Sequence, residues 1–420
     1  QNFIALWPTV PLEENAVFYY ARAISLAKKN GYPPGSASSM AKYDGNAKAM
    51  RLWVQQNRGA LRNVKKAISL KIYQFPPLID ARTGRPNPGV GYLAGLRNLA
   101  RLCTDAGFAA ELEGKNAEAA DWYLIVIRMG AQVRRGSPLL IHNLIGMAIS
   151  AIGQSSLDAL VANESLSKRM LRHIIVECKA AEVAPGERLR VLQKEADWSA
   201  WVLSDEKGWR QETRDRLEKT DQYIQEYHSF SEVGKKLLAD TRKKLQAKLD
   251  MSPQEYEEYR KKISKLFEAL QKIARKPLAQ LLRPDFKLVA LLPEDIRSDS
   301  LIMDNIPSWE RWFTQQGRLE VSLKALQVRS AIMLYQRKMK KLPERLTELC
   351  PEWLPEVPID PFSGRPLKYR KEERQWQVYS VGPDGKDDGG RQYDPRRPWQ
   401  GPDLVFSSSL KSNSERRRGK

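Results

Sequence analysis

The segment with the greatest chemical potential lies near the end of the chain, at residues 379–390, which read Tyr-Ser-Val-Gly-Pro-Asp-Gly-Lys-Asp-Asp-Gly-Gly. It holds four glycines and three aspartates within twelve residues and follows an alternating, strand-like stretch. Glycine permits tight backbone paths, and several carboxylates in one loop can gather a hard cation or cap the amides of turns. The segment therefore predicts a shaped loop with two candidate uses, cation binding and turn capping.

Motifs for enzymatic chemistry are absent from the 420 residues, which contain no GxSxG, HExxH or P-loop segment and no CxxC pair. His142 and His173 each lie in an apolar helical pattern, where a hydrogen-bonded structural histidine is the expected role. Cys103 and Cys178 also fall in apolar patterns and are expected to pack as small hydrophobes. The sequence thus predicts no catalytic residues, and an unrecognised hydrolase is only the third functional hypothesis.

The chain is strongly basic, with a formal net charge of +20 from 70 Lys and Arg against 50 Asp and Glu. Such a surface can hold nucleic acid, anionic lipid or acidic polysaccharide through counterion release. The same cations could also lie on solvated helix faces, paired with glutamates. A binder of an anionic polymer, acting through basic helices and the arginines of residues 391–397, is therefore kept as the alternative function.

The elements that must position the loop are mostly helical, and the length allows two or three domains. Residues 1–184 predict a helical domain with αα-hairpins, the clearest of which turns at Glu113-Gly114. Paired alanines, Ala119 and Ala120, would let its two helices approach closely, as in tetratricopeptide-type repeats. No run of eighteen apolar residues occurs, so no membrane-spanning helix is expected. The sequence begins at Gln1 and not at Met, which suggests either a processed precursor or a trimmed chain. A signal or anchor removed from such a precursor would leave no trace in these residues.

The second half changes character. Residues 185–298 predict a long charged helical arm with a capping box at Ser252 and Glu255. The further segments, in chain order, are a connector at 299–317, an α+β domain at 318–406 and a disordered basic tail at 407–420. The α+β domain is predicted as an amphipathic helix, a short second helix, two paired strands and a third strand at 403–406.

This domain resembles the globular head of the major pseudopilin of type II secretion systems. The residues that carry the resemblance are Tyr335, Pro343, Leu346, Leu349, the segments 357–369 and 379–385, Gly389, Gly390, Asp403 and Leu404. The order of the whole chain is also similar to planctomycete-type proteins that join a helical amino-terminal region to such a head. The first resemblance implies a small α+β head and an extracytoplasmic location, in the periplasm or cell envelope; neither implies an activity.

The resemblance also implies a calcium site in the glycine-rich loop. Val381 would offer its backbone carbonyl and Asp384 its carboxylate, with Asp387 and Asp388 as further ligands by proximity. One departure concerns the long apolar helix with which pseudopilins begin. Residues 318–341 are interrupted by four cations, Arg318, Lys324, Arg329 and Arg337. The chain is therefore not expected to polymerise as a pseudopilin does.

The sequence is best interpreted as a non-enzymatic interaction scaffold that displays a pseudopilin-like head. It would act by protein–protein docking through the αα-hairpin groove and the charged arm, with calcium as a candidate cofactor of the loop. The sequence gives neither the protein partner nor the oligomeric state.

Overall fold

The structure, a computed structural model, is mainly helical and has a small antiparallel sheet of three strands near its carboxyl end. The predicted fold class is confirmed at this level. The structure describes residues 10–27, 47–75, 78–79, 86–87, 90–136, 139–162, 166–184, 186–226, 232–303, 306–371, 375–391 and 403–407. Arg396 and Arg397, and the predicted tail beyond Ser407, lie outside the described residues.

The amino-terminal half forms the first part of a helical body. Its helices are α1 (Ala16–Leu26), α2 (Ala47–Gln56), α3 (Arg58–Ser69), α4 (Val90–Leu112), α5 (Asn116–Gly136), α6 (Leu140–Val161) and α7 (Lys168–Ala181). Between α3 and α4 lie two antiparallel two-residue strands, β1 (Leu78–Ile79) and β2 (Pro86–Asn87).

The predicted helical turn at Glu113-Gly114 is confirmed. Gly114 has a φ of +73°, a left-handed conformation in which glycine is favoured, and α4 and α5 pack against each other on either side of it. The next crossing is closer still, because a Cβ on Gly130 of α5 would lie 2.5 Å from the carbonyl oxygen of Gly146 of α6. Small residues thus let α5 and α6 pack backbone to backbone.

The middle of the chain combines packed and exposed helices. Its helices are α8 (Glu187–Val202), α9 (Glu206–Glu226), α10 (Glu232–Leu249), α11 (Pro253–Ala274), α12 (Leu278–Leu281), α13 (Glu294–Arg297) and α14 (Ser300–Met303). The capping box that starts α11 is confirmed, with the Ser252 N–H donating to Glu255 at 2.7 Å and the Glu255 N–H donating to Ser252 at 3.3 Å.

The long charged arm predicted for residues 185–298 is smaller in the structure. Helices α8 and α11 pack against each other and contribute to the main core. The arm consists of α9 and α10, which pair with each other, and residues 232–249 bury only Leu245. The difference arises because α11 carries a full apolar face from Tyr256 to Ile273, which a solvated helix would not.

Helix α15 (Ile306–Met339) joins the body to the head and is 34 residues long. It includes most of the segment 299–317, which was predicted as a connector, and passes through Gly317 without a break. Trp312 and Phe313 are almost fully buried, and this burial outweighs the weak helical propensity of a glycine and a first-turn proline.

The head contains the carboxyl-terminal part of α15, a 3₁₀ turn and a sheet. Its strands are β3 (Lys368–Lys371), β4 (Trp376–Ser380) and β5 (Leu404–Ser407), with β4 in the middle and both pairings antiparallel. Lys368 pairs with Tyr379, and Val378 pairs with Phe406. The three predicted strands are thereby confirmed to within about one residue.

Three apolar cores lie along this architecture. One joins α1–α5, a larger one joins α5–α8, α11 and α15, and a small one lies between α15 and the head sheet. Val328, Ile332 and Tyr335 of α15 belong to the small core, whereas Leu319 and Leu326 belong to the large one. A single helix therefore supplies side chains to both the body and the head.

Helix α6 is, among the described helices, the one that is long and apolar enough to span a membrane. Of its most apolar 18-residue window, 56% is buried inside the fold. It packs against α4, α5 and α15. Because buried core helices meet the same criterion of length and composition, this helix is weak evidence for a membrane span.

Candidate functional site: the joint between head and body

The glycine–aspartate loop after β4 follows a tight path, as predicted. Gly382, Gly385, Gly389 and Gly390 have φ angles of +66°, +68°, +71° and +72°, all in the left-handed region. A side chain at these positions would be strained, so the four glycines are explained by backbone geometry.

The aspartates of this loop cap its own amides. Asp384 accepts the N–H of Lys386 at 3.1 Å, and Asp387 accepts the N–H of Gly389 at 3.1 Å. The carboxylate of Asp387 also forms an ion pair with Lys368 at 2.7 Å. The hydrogen bond from Lys368 lowers the pKa of Asp387, so this carboxylate is held in its charged form by a lysine.

Asp403, at the start of β5, is buried and closes the loop from the other side. It accepts the N–H of Gly390 at 2.6 Å and that of Asp388 at 3.3 Å. Burial raises its pKa, against the effect of these two hydrogen bonds. Asp403 was predicted as the start of a strand and as part of the resemblance, but its role as the acceptor for Gly390 was missed.

The predicted calcium ligands do not form calcium's usual donor set. Within the described ranges no group of three Asp, Glu, His or Cys side chains converges on a common point. Asp384 and Asp387 are engaged with loop amides and a lysine, and the side chain of Val381 is buried in the large core. Calcium prefers six to eight oxygens around one centre. Calcium binding by Val381, Asp384, Asp387 and Asp388 therefore stays a prediction.

Asp360 connects two segments of the head through its carboxylate. Its buried carboxylate accepts hydrogen bonds from the amides of Phe362 and Val381, at 3.0 and 3.3 Å. It also accepts the hydroxyls of Ser363 and Ser380, at 3.0 and 2.8 Å. One carboxylate thus ties the segment before β3 to the end of β4, where the glycine–aspartate loop begins.

The loop is also seated on the body. A Cβ on Gly385 would lie 2.7 Å from Pro284, which precedes the last short helices of the body. Likewise, a Cβ on Gly317 of α15 would lie 2.9 Å from the ring of Phe362. Phe362 and Val381 both belong to the large core of the body. The glycine–aspartate loop and its neighbour are therefore part of a joint between head and body.

The cations that interrupt α15 fasten this joint. Arg329 is fully buried, forms an ion pair with Asp158 of α6 and donates to the carbonyl of Ser407 at 3.0 Å. Lys324 donates to the carbonyl of Ile359 at 3.0 Å, and Arg337 donates to the carbonyl of Leu166. Three of the four cations that distinguish α15 from the apolar helix of a pseudopilin thus bind α15 to other segments of the same chain.

The amino-terminal part of α15 is held in the body by a buried polar network. Trp312 donates its indole N–H to Asn143 of α6 at 2.8 Å. Asn143 in turn donates to Glu187 at 3.3 Å, and Glu187 pairs with Arg134 at 3.2 Å. All four side chains are buried, so the network connects α5, α6, α8 and α15 inside the core.

The arm is the counterpart of this closed joint, because it exposes apolar side chains. Val233 and Leu237 of α10 are 79% and 66% exposed, and Tyr223 and Ile224 near the end of α9 are exposed as well. Helix α10 carries six Lys and Arg against two acids. This end of the arm, with Tyr223, Ile224, Val233 and Leu237, is called the arm tip below.

The remaining sequence candidates have structural positions. His142 is fully buried, with its ring 4.5 Å from that of Phe75, and His173 is exposed on α7. Cys103 and Cys178 are buried, and burial raises the pKa of both thiols. The surroundings of His142 and the two cysteines favour packing roles over nucleophilic or acid–base chemistry, whereas the exposure of His173 differs from the packed role predicted for it.

No family model matches the chain, and neither the curated proteins nor the solved structures contain a significant match. The resemblance to the pseudopilin head therefore depends on the sequence motifs alone.

Proposed function

We propose that this chain is a non-enzymatic interaction scaffold. In this proposal a helical body with a tetratricopeptide-like hairpin carries a pseudopilin-like head in a fixed position, and the arm tip docks a protein partner. The observation that carries the proposal is the exposure of apolar side chains beside a basic helix at the arm tip.

The arm tip favours a partner of particular chemistry. Val233 and Leu237 are four residues apart, so they lie on one face of α10. Lys235 and Lys236 are exposed beside them. Apolar anchors in a basic surround fit a protein segment with an apolar stripe and acidic flanks, such as an amphipathic helix.

The fixed position of the head favours the role of a scaffold and not that of a filament subunit. A pseudopilin uses the first half of its long helix in the membrane and in the filament core, whereas the first half of α15 packs inside this chain's own body. Because Trp309, Trp312 and Phe313 are buried, this part of α15 offers none of these three side chains for packing against neighbouring subunits.

Comparison of variants in the cells that make the protein tests the proposal. The double variant Val233→Ser/Leu237→Ser removes the arm-tip anchors, and Val176→Ser on α7, where Val176 is 63% exposed, is the matched control. Proteins cross-linked to the wild type and to the control, but lost from the double variant, would support docking at the arm tip. Identical sets of cross-linked proteins for all three chains would overturn it.

A second candidate function, binding of an anionic polymer, is favoured by the six cations of α10. Heparin and single-stranded DNA are suitable probes for a titration at several salt concentrations. A polymer binder should lose affinity steeply as salt rises and should be weakened by Lys235→Gln/Lys236→Gln, but not by Val233→Ser/Leu237→Ser. Binding that depends little on salt, and that is weakened by Val233→Ser/Leu237→Ser but not by Lys235→Gln/Lys236→Gln, would favour the protein partner.

The extracytoplasmic location implied by the resemblance belongs to the same proposal. Fractionation of cells into periplasmic, envelope and cytoplasmic extracts checks it. Recovery of the protein in the cytoplasmic extract alone would contradict it.

A further inference from the structure

The outer sides of α1 and α3, which pack against each other, form a basic surface of the helical body. Helix α3 carries four cations, Arg58, Arg62, Lys65 and Lys66, and no acidic residue. Helix α1 carries one cation, Arg22, and likewise no acidic residue. All five cations are exposed. The surface is distinct from the arm tip and from the joint, and its role is independent of the proposed function.

Three cations of α3 lie in one row. Arg58, Arg62 and Lys66 are four residues apart, so they follow one another along a single face of the helix. Like charges at this spacing repel each other, and Arg58 also lies at the positive end of the helix dipole. Helix α11, by contrast, combines five cations with four acids. The row on α3 therefore disfavours the folded helix, and an external anion would offset this effect.

The remainder of the fold does not neutralise these cations. Among the described residues, no acid pairs with Arg22, Arg58 or Arg62. Lys66 contacts a ring instead, with its ammonium 5.8 Å from the centre of the Tyr19 ring. Three guanidinium groups on neighbouring helices are thus available to an anion outside the protein.

Two large apolar side chains are exposed beside the cations. Phe18 and Leu26 of α1 are 37% and 47% exposed. They lie four residues before and four residues after Arg22, so the three side chains share one face of α1. This face adjoins α3, because a Cβ on Gly59 would lie 3.9 Å from Leu26. The combined surface, called the α1–α3 face below, consists of Phe18, Arg22, Leu26, Arg58, Arg62 and Lys66.

We propose that the α1–α3 face binds the surface of an anionic lipid membrane. The guanidinium groups would face the lipid phosphates, while Phe18 and Leu26 would enter the boundary between headgroups and acyl chains. Apolar side chains among the cations favour lipid over duplex nucleic acid, which offers phosphates to a basic surface but no apolar layer beneath them. The basic run is visible in the sequence, but its position beside the exposed side of α1 depends on packing.

Vesicles of two compositions test the proposal. One kind contains equal parts of phosphatidylcholine and phosphatidylglycerol, and the other contains phosphatidylcholine alone. In flotation assays we expect the full chain to bind the anionic vesicles at least about tenfold more tightly than the neutral ones. Binding to the anionic vesicles should weaken as salt rises, because salt screens the attraction.

Charge variants then assign the binding to the α1–α3 face. Arg22→Gln/Arg58→Gln/Arg62→Gln removes the three unpaired guanidinium groups and should weaken binding to the anionic vesicles by at least about tenfold. Each variant is first compared with the wild type by circular dichroism.

The matched control removes three exposed cations from α10. Lys235→Gln/Lys236→Gln/Lys243→Gln changes the net charge by the same amount and should keep the affinity for anionic vesicles within about twofold of the wild type. An equal loss in the two triple variants would mean that net charge, and not this surface, attracts the membrane.

A second pair of variants isolates the apolar contribution. Phe18→Ser/Leu26→Ser should weaken binding to the anionic vesicles at every salt concentration, because it removes the side chains that enter the lipid. Val233→Ser/Leu237→Ser, at the arm tip, should leave this binding unchanged.

Three results would overturn the proposal. They are equal affinity of the wild type for the two kinds of vesicle, equal loss in the two triple variants, and unchanged binding of Phe18→Ser/Leu26→Ser. Tighter binding of duplex DNA than of anionic vesicles, lost in Arg22→Gln/Arg58→Gln/Arg62→Gln, would also overturn it and assign the surface to a nucleic acid. None of these results would affect docking at the arm tip.

Discussion

The head and the arm of this protein differ in the surroundings of their side chains: carboxylates of the head are hydrogen-bonded inside the fold, whereas apolar side chains of the arm are exposed. In the head, Asp360 and Asp403 each accept two or more internal hydrogen bonds, and Gly385 lets the loop lie against Pro284 of the body. In the arm, residues 232–249 bury a single side chain and leave Val233 and Leu237 exposed. The region whose residue types suggest chemistry thus uses its polar side chains within the fold, whereas the region without motifs carries exposed apolar side chains.

The largest expected effect concerns the ion pair that fixes the head. Arg329→Met leaves Asp158 without its partner in a mostly buried setting and removes the hydrogen bond to Ser407. Loss of one partner of a buried pair costs about 3–5 kcal/mol in the free energy of unfolding. Guanidinium denaturation measures this loss.

The double variant Arg329→Met/Asp158→Leu is the control for Arg329→Met. It should recover a large part of the loss, because no buried charge is left uncompensated. A loss below about 1 kcal/mol for Arg329→Met would mean that the head is not fixed as described.

The second prediction compares Asp360, a buried carboxylate of the head, with Asp384, which is only partly buried. Asp360→Ala leaves the buried hydroxyl of Ser380 and the amide of Val381 without their acceptor, which should cost about 2–3 kcal/mol. Asp384→Ala removes only a local cap and should stay within about 0.5 kcal/mol of the wild type. Similar losses for the two variants, measured by urea denaturation, would remove the distinction between joint and loop surface.

The third prediction concerns Glu195 of α8, at the base of the arm, whose carboxyl is buried in surroundings that disfavour its charge. The folded pKa of Glu195, about 7, lies above its ordinary value of 4.5, so the folded protein holds a proton that the unfolded chain has released between these pH values. The free energy of unfolding should therefore fall as the pH rises from 4.5 to 7, by on the order of 2 kcal/mol after allowance for partial exposure.

Glu195→Gln should remove this pH dependence and keep the acceptor for the N–H of Leu140. Glu258→Gln, at an exposed glutamate of α11, is the control and should keep the wild-type profile. Denaturation midpoints at several pH values from 4.5 to 8 decide the matter. Profiles of equal slope for the wild type and Glu195→Gln would contradict the role given to burial.

The smallest effect concerns calcium at the glycine–aspartate loop. Lys368 already occupies the carboxylate of Asp387, so saturating the loop with calcium should raise the free energy of unfolding of the wild type by no more than about 1 kcal/mol. Lys368→Met should enlarge the rise because it frees this carboxylate, and Asp384→Asn should reduce it. Melting curves that calcium leaves unchanged in the wild type and in Lys368→Met would refute the metal prediction.

Local signals in the sequence predicted local structure well. The turn at Gly114, the capping box of Ser252 and Glu255, and the left-handed glycines of the loop depend on neighbouring residues alone. The start of α15 was missed because Pro307 and Gly317 resemble breaks, although a proline is tolerated in a first turn and a glycine in a buried helix.

The roles that depend on tertiary packing could not be predicted. Asp360 and Ser380 are twenty residues apart, and Arg329 and Asp158 are 171 residues apart. Likewise, Arg216, Lys248 and Trp309 come from three different helices and lie together at the base of the arm. Composition could suggest a basic surface, but only the packed helices define where its cations lie.

Helix α15 has a consequence for how the molecule unfolds. At 1.5 Å per residue its 34 residues form a rod of about 50 Å that lies in two cores at once. Body and head should therefore melt as one cooperative unit, because the helix cannot fray at the head without exposing side chains of the body. A cut between the two would divide a helix and not a linker, and the large core would lose side chains that lie on the head side of the cut.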